Sequence, residues 1–109
     1  MTSKEMAELA AATMDDRKAK SIETMDISAR TAETDYFVIC SGTSSTHVKA
    51  IADEVEFKLK EAGVPIKHSE GYDSATWILL DFGDIVCHVF REEEREFYNL
   101  ERLWSKMYD

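Results

Sequence analysis

Residues 70–104, EGYDSATWILLDFGDIVCHVFREEEREFYNLERLW, decide the fold. Gly83-Asp84 stands between two apolar runs, and a glycine at the first central position suits a two-residue type II′ loop, which needs a positive φ there. That turn sets a register: Phe82 opposite Ile85, Asp81 opposite Val86, Leu80 opposite Cys87, Leu79 opposite His88, Ile78 opposite Val89 and Trp77 opposite Phe90. Side chains alternate across a sheet, so Phe82, Ile85, Leu80, Cys87, Ile78 and Val89 share one wholly apolar face, which is read as the core face. The other face carries Trp77, Leu79, Asp81, Val86, His88 and Phe90. A solvated face rarely gathers Trp, Leu and Phe, and a sealed one rarely holds a lone carboxylate. Two readings remain open: a surface made to be covered by a partner, or a face covered by the chain's own helices with Asp81 and His88 as an internal pair.

Working outward, Met6, Leu9, Ala10, Thr13 and Met14 recur at helical spacing, which predicts a helix from Ser3 to about Lys18 capped by Thr2 or Ser3. Ser21 to Ile27 reads as a short strand and Ser28 to Thr34 as a loop. The apolar run Asp35-Tyr36-Phe37-Val38-Ile39-Cys40 reads as a central strand, covered on both sides. Ser41 to Thr46, SGTSST, leads into a second helix with Val48, Ile51, Ala52, Val55 and Leu59 on one face, Gly63 near its end and Pro65 beyond. Pro65 to Ser69 reads as a strand and Glu70 to Ser74 as a polar connection. After the hairpin, Glu92, Glu93 and Glu94 suit the start of a helix. Phe97, Leu100 and Trp104 would share one side of it.

The chain has 109 residues, enough for one core-forming domain. Its 13 basic and 22 acidic residues argue against nucleic acid as the main contact, since phosphates are held by Lys and Arg, and favour a basic protein partner. No segment approaches the ~20 apolar residues of a membrane span and no leader pattern opens the chain, so a cytoplasmic protein without membrane contact is expected. Cys40 and Cys87 sit in apolar runs without C-x-x-C spacing and are read as small buried hydrophobes.

No motif commits the chain to catalysis. Asp81-Phe82-Gly83 matches the kinase metal-binding triplet by letters, but the chain is too short for a kinase and lacks the H-R-D loop. His47, His68 and His88 have no metal-ligand spacing. SGTSST could cradle a phosphate at a helix terminus, yet neither glycine-rich phosphate motif is present, and helix-capping hydroxyls account for the same residues. No catalytic residue, cofactor or metal is therefore expected, although Asp81 with His88 could do acid and base work in a cleft.

One combination of residues is specific through its order and spacing: Asp35-Tyr36-Phe37-Val38-Ile39-Cys40-Ser41-Gly42, His47-Val48, Glu70-Gly71, Trp77 to Asp84, His88-Val89-Phe90, Arg95, Tyr98 and Leu100-Glu101-Arg102-Leu103-Trp104. It resembles the ribosomal silencing factor family, also called Iojap or RsfS, over nearly the whole chain. The resemblance implies a single α+β domain over residues 1–109, a mixed, mostly five-stranded sheet flanked by helices and akin to nucleotidyltransferases. It also implies a translational repressor that binds the large ribosomal subunit through ribosomal protein L-fourteen and blocks joining of the small subunit when nutrients are scarce. Carried over residue by residue, the contact region would be Trp77, Leu79 and Asp81, with Tyr98, Leu100 and Glu101 beside them. His88 and Phe90 would support that face, and Arg95 would pair with a nearby acid.

Fold kinship alone does not confer catalysis. The nucleotidyltransferase pattern needs a carboxylate pair after its Gly-Ser turn, and the adjacent Asp53 and Glu54 would point in different directions on a helix. A nucleotide-binding or nucleotidyltransferase-like protein using SGTSST and Asp81 is the alternative reading. Self-association into a homodimer through the apolar hairpin face, when the protein is free, is compatible with the first.

Overall fold

In the computed structural model, residues 1–95 and Leu103 are described. The elements are α1 (Ser3–Asp16), β1 (Lys20–Asp26), β2 (Tyr36–Gly42), α2 (Ser45–Glu61), β3 (His68–Glu70), β4 (Trp77–Asp81), β5 (Ile85–Arg91) and α3 (Glu92–Arg95). Both long helices start where short polar side chains can take up unpaired backbone donors. Thr2 accepts from the Glu5 amide while Glu5 accepts from the Thr2 amide, a reciprocal capping box. Ser44, inside SGTSST, accepts from the His47 amide at 3.1 Å and caps α2. At the far end of α2 the Val64 amide bonds the Leu59 carbonyl and the Gly63 amide bonds that of Lys60, so the helix closes in a Schellman turn.

The five strands form one sheet in the order β1-β2-β5-β4-β3. β2 and β5 run parallel, and the other neighbouring pairs are antiparallel, which makes the sheet mixed. β2 is an interior strand as its apolar run implied, with β5 at the centre of the sheet. The hairpin register is as read from the turn, from Trp77 opposite Phe90 through Asp81 opposite Val86, and Gly83 has φ +93°.

The boundaries differ at several elements: α1 ends at Asp16, short of Lys18, and β2 starts at Tyr36 and runs on through Ser41 and Gly42, which the sequence assigns to the following loop. β3 begins at His68 rather than Pro65 and includes Glu70. Proline has no amide hydrogen for a ladder, and β3 is a fully exposed edge strand whose pairing with β4 starts only where His68 meets Asp81. β1 starts at Lys20 and slips register before Glu23, with Ser21 at φ +53°.

α1 and α2 lie on the same side of the sheet. Met6, Ala10 and Met14 from α1 and Val48, Ile51, Val55 and Leu59 from α2 join Val38, Cys40, Ile78, Leu80, Phe82, Ile85, Cys87 and Val89 in the main core. The hairpin's apolar face is therefore the core face, as alternation required. Cys40 and Cys87 are both buried thiols within it. Burial pushes the Cys40 thiol up to about 12, against the opposing pull of the Arg95 guanidinium, and raises Cys87 as well.

Candidate functional site

The second hairpin face holds a smaller core of its own: Ile27, Phe37, Ile39, Leu79, Val86, Phe90 and Leu103, with Met25 and Trp77 packed against it. The open part of this face is thus narrower than strand alternation alone suggested. Leu79 retains 6% of its surface and His88 none, while Trp77 and Asp81, at the two ends of β4, stay half-buried. The physical reason is long-range. Ile27, just beyond β1, and Leu103 near the chain end close over the middle of the face, leaving the ends of β4 at the surface. Tyr98, Leu100 and Glu101, expected beside this patch, lie outside the described residues, as do Phe97 and Trp104.

Asp81 and His88 do not pair. The Asp81 carboxylate accepts the Gly83 amide at 2.8 Å and braces the hairpin turn. His88 instead accepts at Nδ1 from the Trp77 indole Nε1–H, at 3.1 Å. Trp77 stacks on Phe90 with ring centroids 5.2 Å apart and planes 22° from parallel, and His88 meets Phe37 edge-on at 4.6 Å. Burial drives the His88 pKa down to about 3, so the ring is neutral at physiological pH. The sequence signal for this bond was available: the two residues share a face and are diagonal neighbours across β4 and β5, within reach of long side chains.

A cleft of about 250 Å³ opens beside the indole. Glu70 and Gly71 at the end of β3, Thr76, Leu79 and Glu94 of α3 help to line it together with Trp77. The carboxylates of Glu70 and Glu94 give this cleft a negative rim, where a cationic side chain would find favourable charge.

The loop SGTSST is occupied by the protein's own groups. The Thr43 amide donates to His47 Nδ1 at 2.9 Å, so His47 carries its proton on Nε2, which bonds the Arg17 carbonyl at 2.8 Å. His47 therefore ties the end of α1 to the start of α2, a role that spacing alone did not reveal. Arg95 bridges Ser41 at 3.1 Å and Glu23 at 3.6 Å, an acid partner as expected. Asp53 accepts from the Tyr72 hydroxyl and Glu54 pairs with Arg17, so the two neighbouring carboxylates serve different partners. Among the described residues, no three His, Cys, Asp or Glu side chains converge to hold a metal, and no helix is long and apolar enough to cross a membrane.

The fold and this patch define a small α+β domain with a five-stranded mixed sheet, helices covering one face and a tryptophan at the margin of the other. The chain belongs to the family described as ribosomal silencing factor during starvation (RsfS), whose model matches residues 1–109. It is 44% identical over 105 residues to the ribosomal silencing factor RsfS of Bacillus subtilis, covering 96% of this chain and 89% of that one. A crystal structure of a Chromobacterium violaceum protein superposes with a TM-score of 0.90 at 41% identity, over 96% of this chain and 88% of that one. A mouse relative named mitochondrial assembly of ribosomal large subunit protein 1 is 43% identical over 75 residues, 66% of this chain and 33% of that protein.

Proposed function

We propose that this protein is a cytoplasmic translational repressor that binds the large ribosomal subunit through ribosomal protein L-fourteen and keeps the small subunit from joining. It acts by steric exclusion and turns over no substrate. The observation that carries this reading is the half-buried Trp77 indole at the margin of the second core, beside a cleft rimmed by Glu70 and Glu94. Membership in the silencing-factor family supports the ribosome as target, and the mouse relative's name supports the large subunit. A net charge of −9 favours a basic ribosomal protein over exposed RNA phosphates.

In this reading Trp77 is the apolar anchor and Asp81 an acidic contact at the other end of β4. Tyr98, Leu100 and Glu101, later in the sequence, are further contact residues in this reading, and Leu79 backs Trp77 from within the second core. Apolar burial supplies affinity, while the acidic rim sets orientation and encounter rate.

The test is sedimentation of isolated large subunits with the protein, followed by addition of small subunits. Wild-type protein should pellet with large subunits and lower the yield of whole ribosomes. Trp77→Ala should bind roughly 30-fold or more weakly, a loss of about 2 to 4 kcal/mol for a buried aromatic anchor. Undiminished pelleting of Trp77→Ala would remove Trp77 from the contact, and undisturbed subunit joining at saturating wild-type protein would remove the mechanism.

A further inference from the structure

We infer that His88 is a positioning residue for docking, which holds the Trp77 indole in its binding orientation before the partner arrives; this rests on the docking reading above. His88 is fully buried, and its Nδ1 is the acceptor for the indole Nε1–H at 3.1 Å. A neutral ring that accepts at Nδ1 carries its proton on Nε2. Among the described residues, that buried Nε2 has no hydrogen-bond partner.

A buried donor left unpaired is a standing loss of stability, which an apolar side chain would avoid. The ring's surroundings are already aromatic: Phe37 meets it edge-on at 4.6 Å and Phe90 lies nearly parallel at 6.4 Å. What an apolar ring could not supply is the acceptor for Trp77. Phe90 holds the indole plane by stacking at 5.2 Å, and the bond to His88 fixes its rotation within that plane. A side chain ordered before its partner arrives loses less rotamer freedom on binding, which lowers the cost of association.

The experiment measures the ¹⁵N order parameter of the Trp77 indole N–H, assigned by its loss in Trp77→Phe, alongside affinity for isolated large subunits. In wild-type protein the order parameter should match rigid backbone, about 0.85. His88→Phe should keep the fold by circular dichroism, loosen the indole and weaken large-subunit binding roughly three- to tenfold. His88→Asn, whose amide oxygen can stand near the Nδ1 position, should restore part of both.

A wild-type order parameter below about 0.6 overturns the inference whatever the variants do. So does a folded His88→Phe with a rigid indole and wild-type affinity, if Trp77→Ala binds weakly; the docking reading then survives alone. Wild-type binding by Trp77→Ala removes the docking reading, and this inference with it.

Discussion

Gly71 faces the backbone of Trp77 so closely that a Cβ built on it would stand 2.1 Å from the Trp77 carbonyl oxygen. Its φ of +82° is also one that residues with a side chain adopt at a cost. The glycine thus sets how the chain leaves β3 and where β4 begins, and with it the position of Trp77. Gly71→Ala should lower stability by about 3 kcal/mol or more, since strain at positive φ adds to a clash with backbone that cannot swing aside. Gly63→Ala is the control, because Gly63 has φ +91° and nothing within 4 Å of a Cβ there. It should lose only about 1 kcal/mol. Thermal unfolding of the two variants checks this, and equal losses would refute the contact argument.

Acid should unfold the protein partly through His88. Burial holds its folded pKa at about 3, below the ordinary value of 6.5, so between these limits the unfolded chain binds the extra proton. Stability is therefore complete above about pH 6.5 and is lost as pH falls through that value towards 3, by up to ~1.4 kcal/mol per pH unit. Urea unfolding at pH 7 and pH 5 should differ by about 2 kcal/mol from this residue. In His88→Phe that part of the difference should vanish.

How far the fold was legible depended on whether the information was local. The hairpin register followed from one glycine turn and strict alternation, and each pair from Trp77–Phe90 to Asp81–Val86 is found. The helix starts were legible because Thr2 and Ser44 are short polar caps. What stayed hidden depended on residues far apart in the chain. Nothing near Leu79 announced that Ile27 and Leu103 would close over it. His47 bridging Thr43 to Arg17 depends on α1 meeting the β2–α2 loop, which no spacing encodes. At the candidate site, alternation placed His88 on the correct face, yet opposite charge suggested Asp81 as its partner. The nearer donor was the indole, while the Asp81 carboxylate was already engaged by the Gly83 amide two residues on.

Cys40 and Cys87 should be silent towards thiol reagents in the native state. Both are sealed in the main core, and burial raises both pKa values, which leaves almost no thiolate at neutral pH. Ellman's reagent should release negligible colour from folded protein within minutes and two equivalents per chain in guanidinium, matching the two cysteines. Rapid native reaction of either thiol would mean that the sheet opens between β2 and β5 far more readily than its packing implies.

Asp81 carries two roles that substitution can separate. Its carboxylate accepts the Gly83 amide at 2.8 Å and so braces the turn, while its half-buried position leaves it able to meet a basic partner. Asp81→Asn keeps an oxygen acceptor and removes the charge; Asp81→Ala removes both. The alanine variant should lose about 1 kcal/mol of stability from the missing hydrogen bond, and the asparagine variant less than about 0.5 kcal/mol. If charge guides docking, Asp81→Asn should associate more slowly with large subunits at low salt and converge on wild type as salt rises, because screening removes what the substitution removed. Association rates by stopped flow at low and high salt provide the measurement. Wild-type rates for Asp81→Asn at every salt concentration, beside a destabilised Asp81→Ala, would confine Asp81 to the turn.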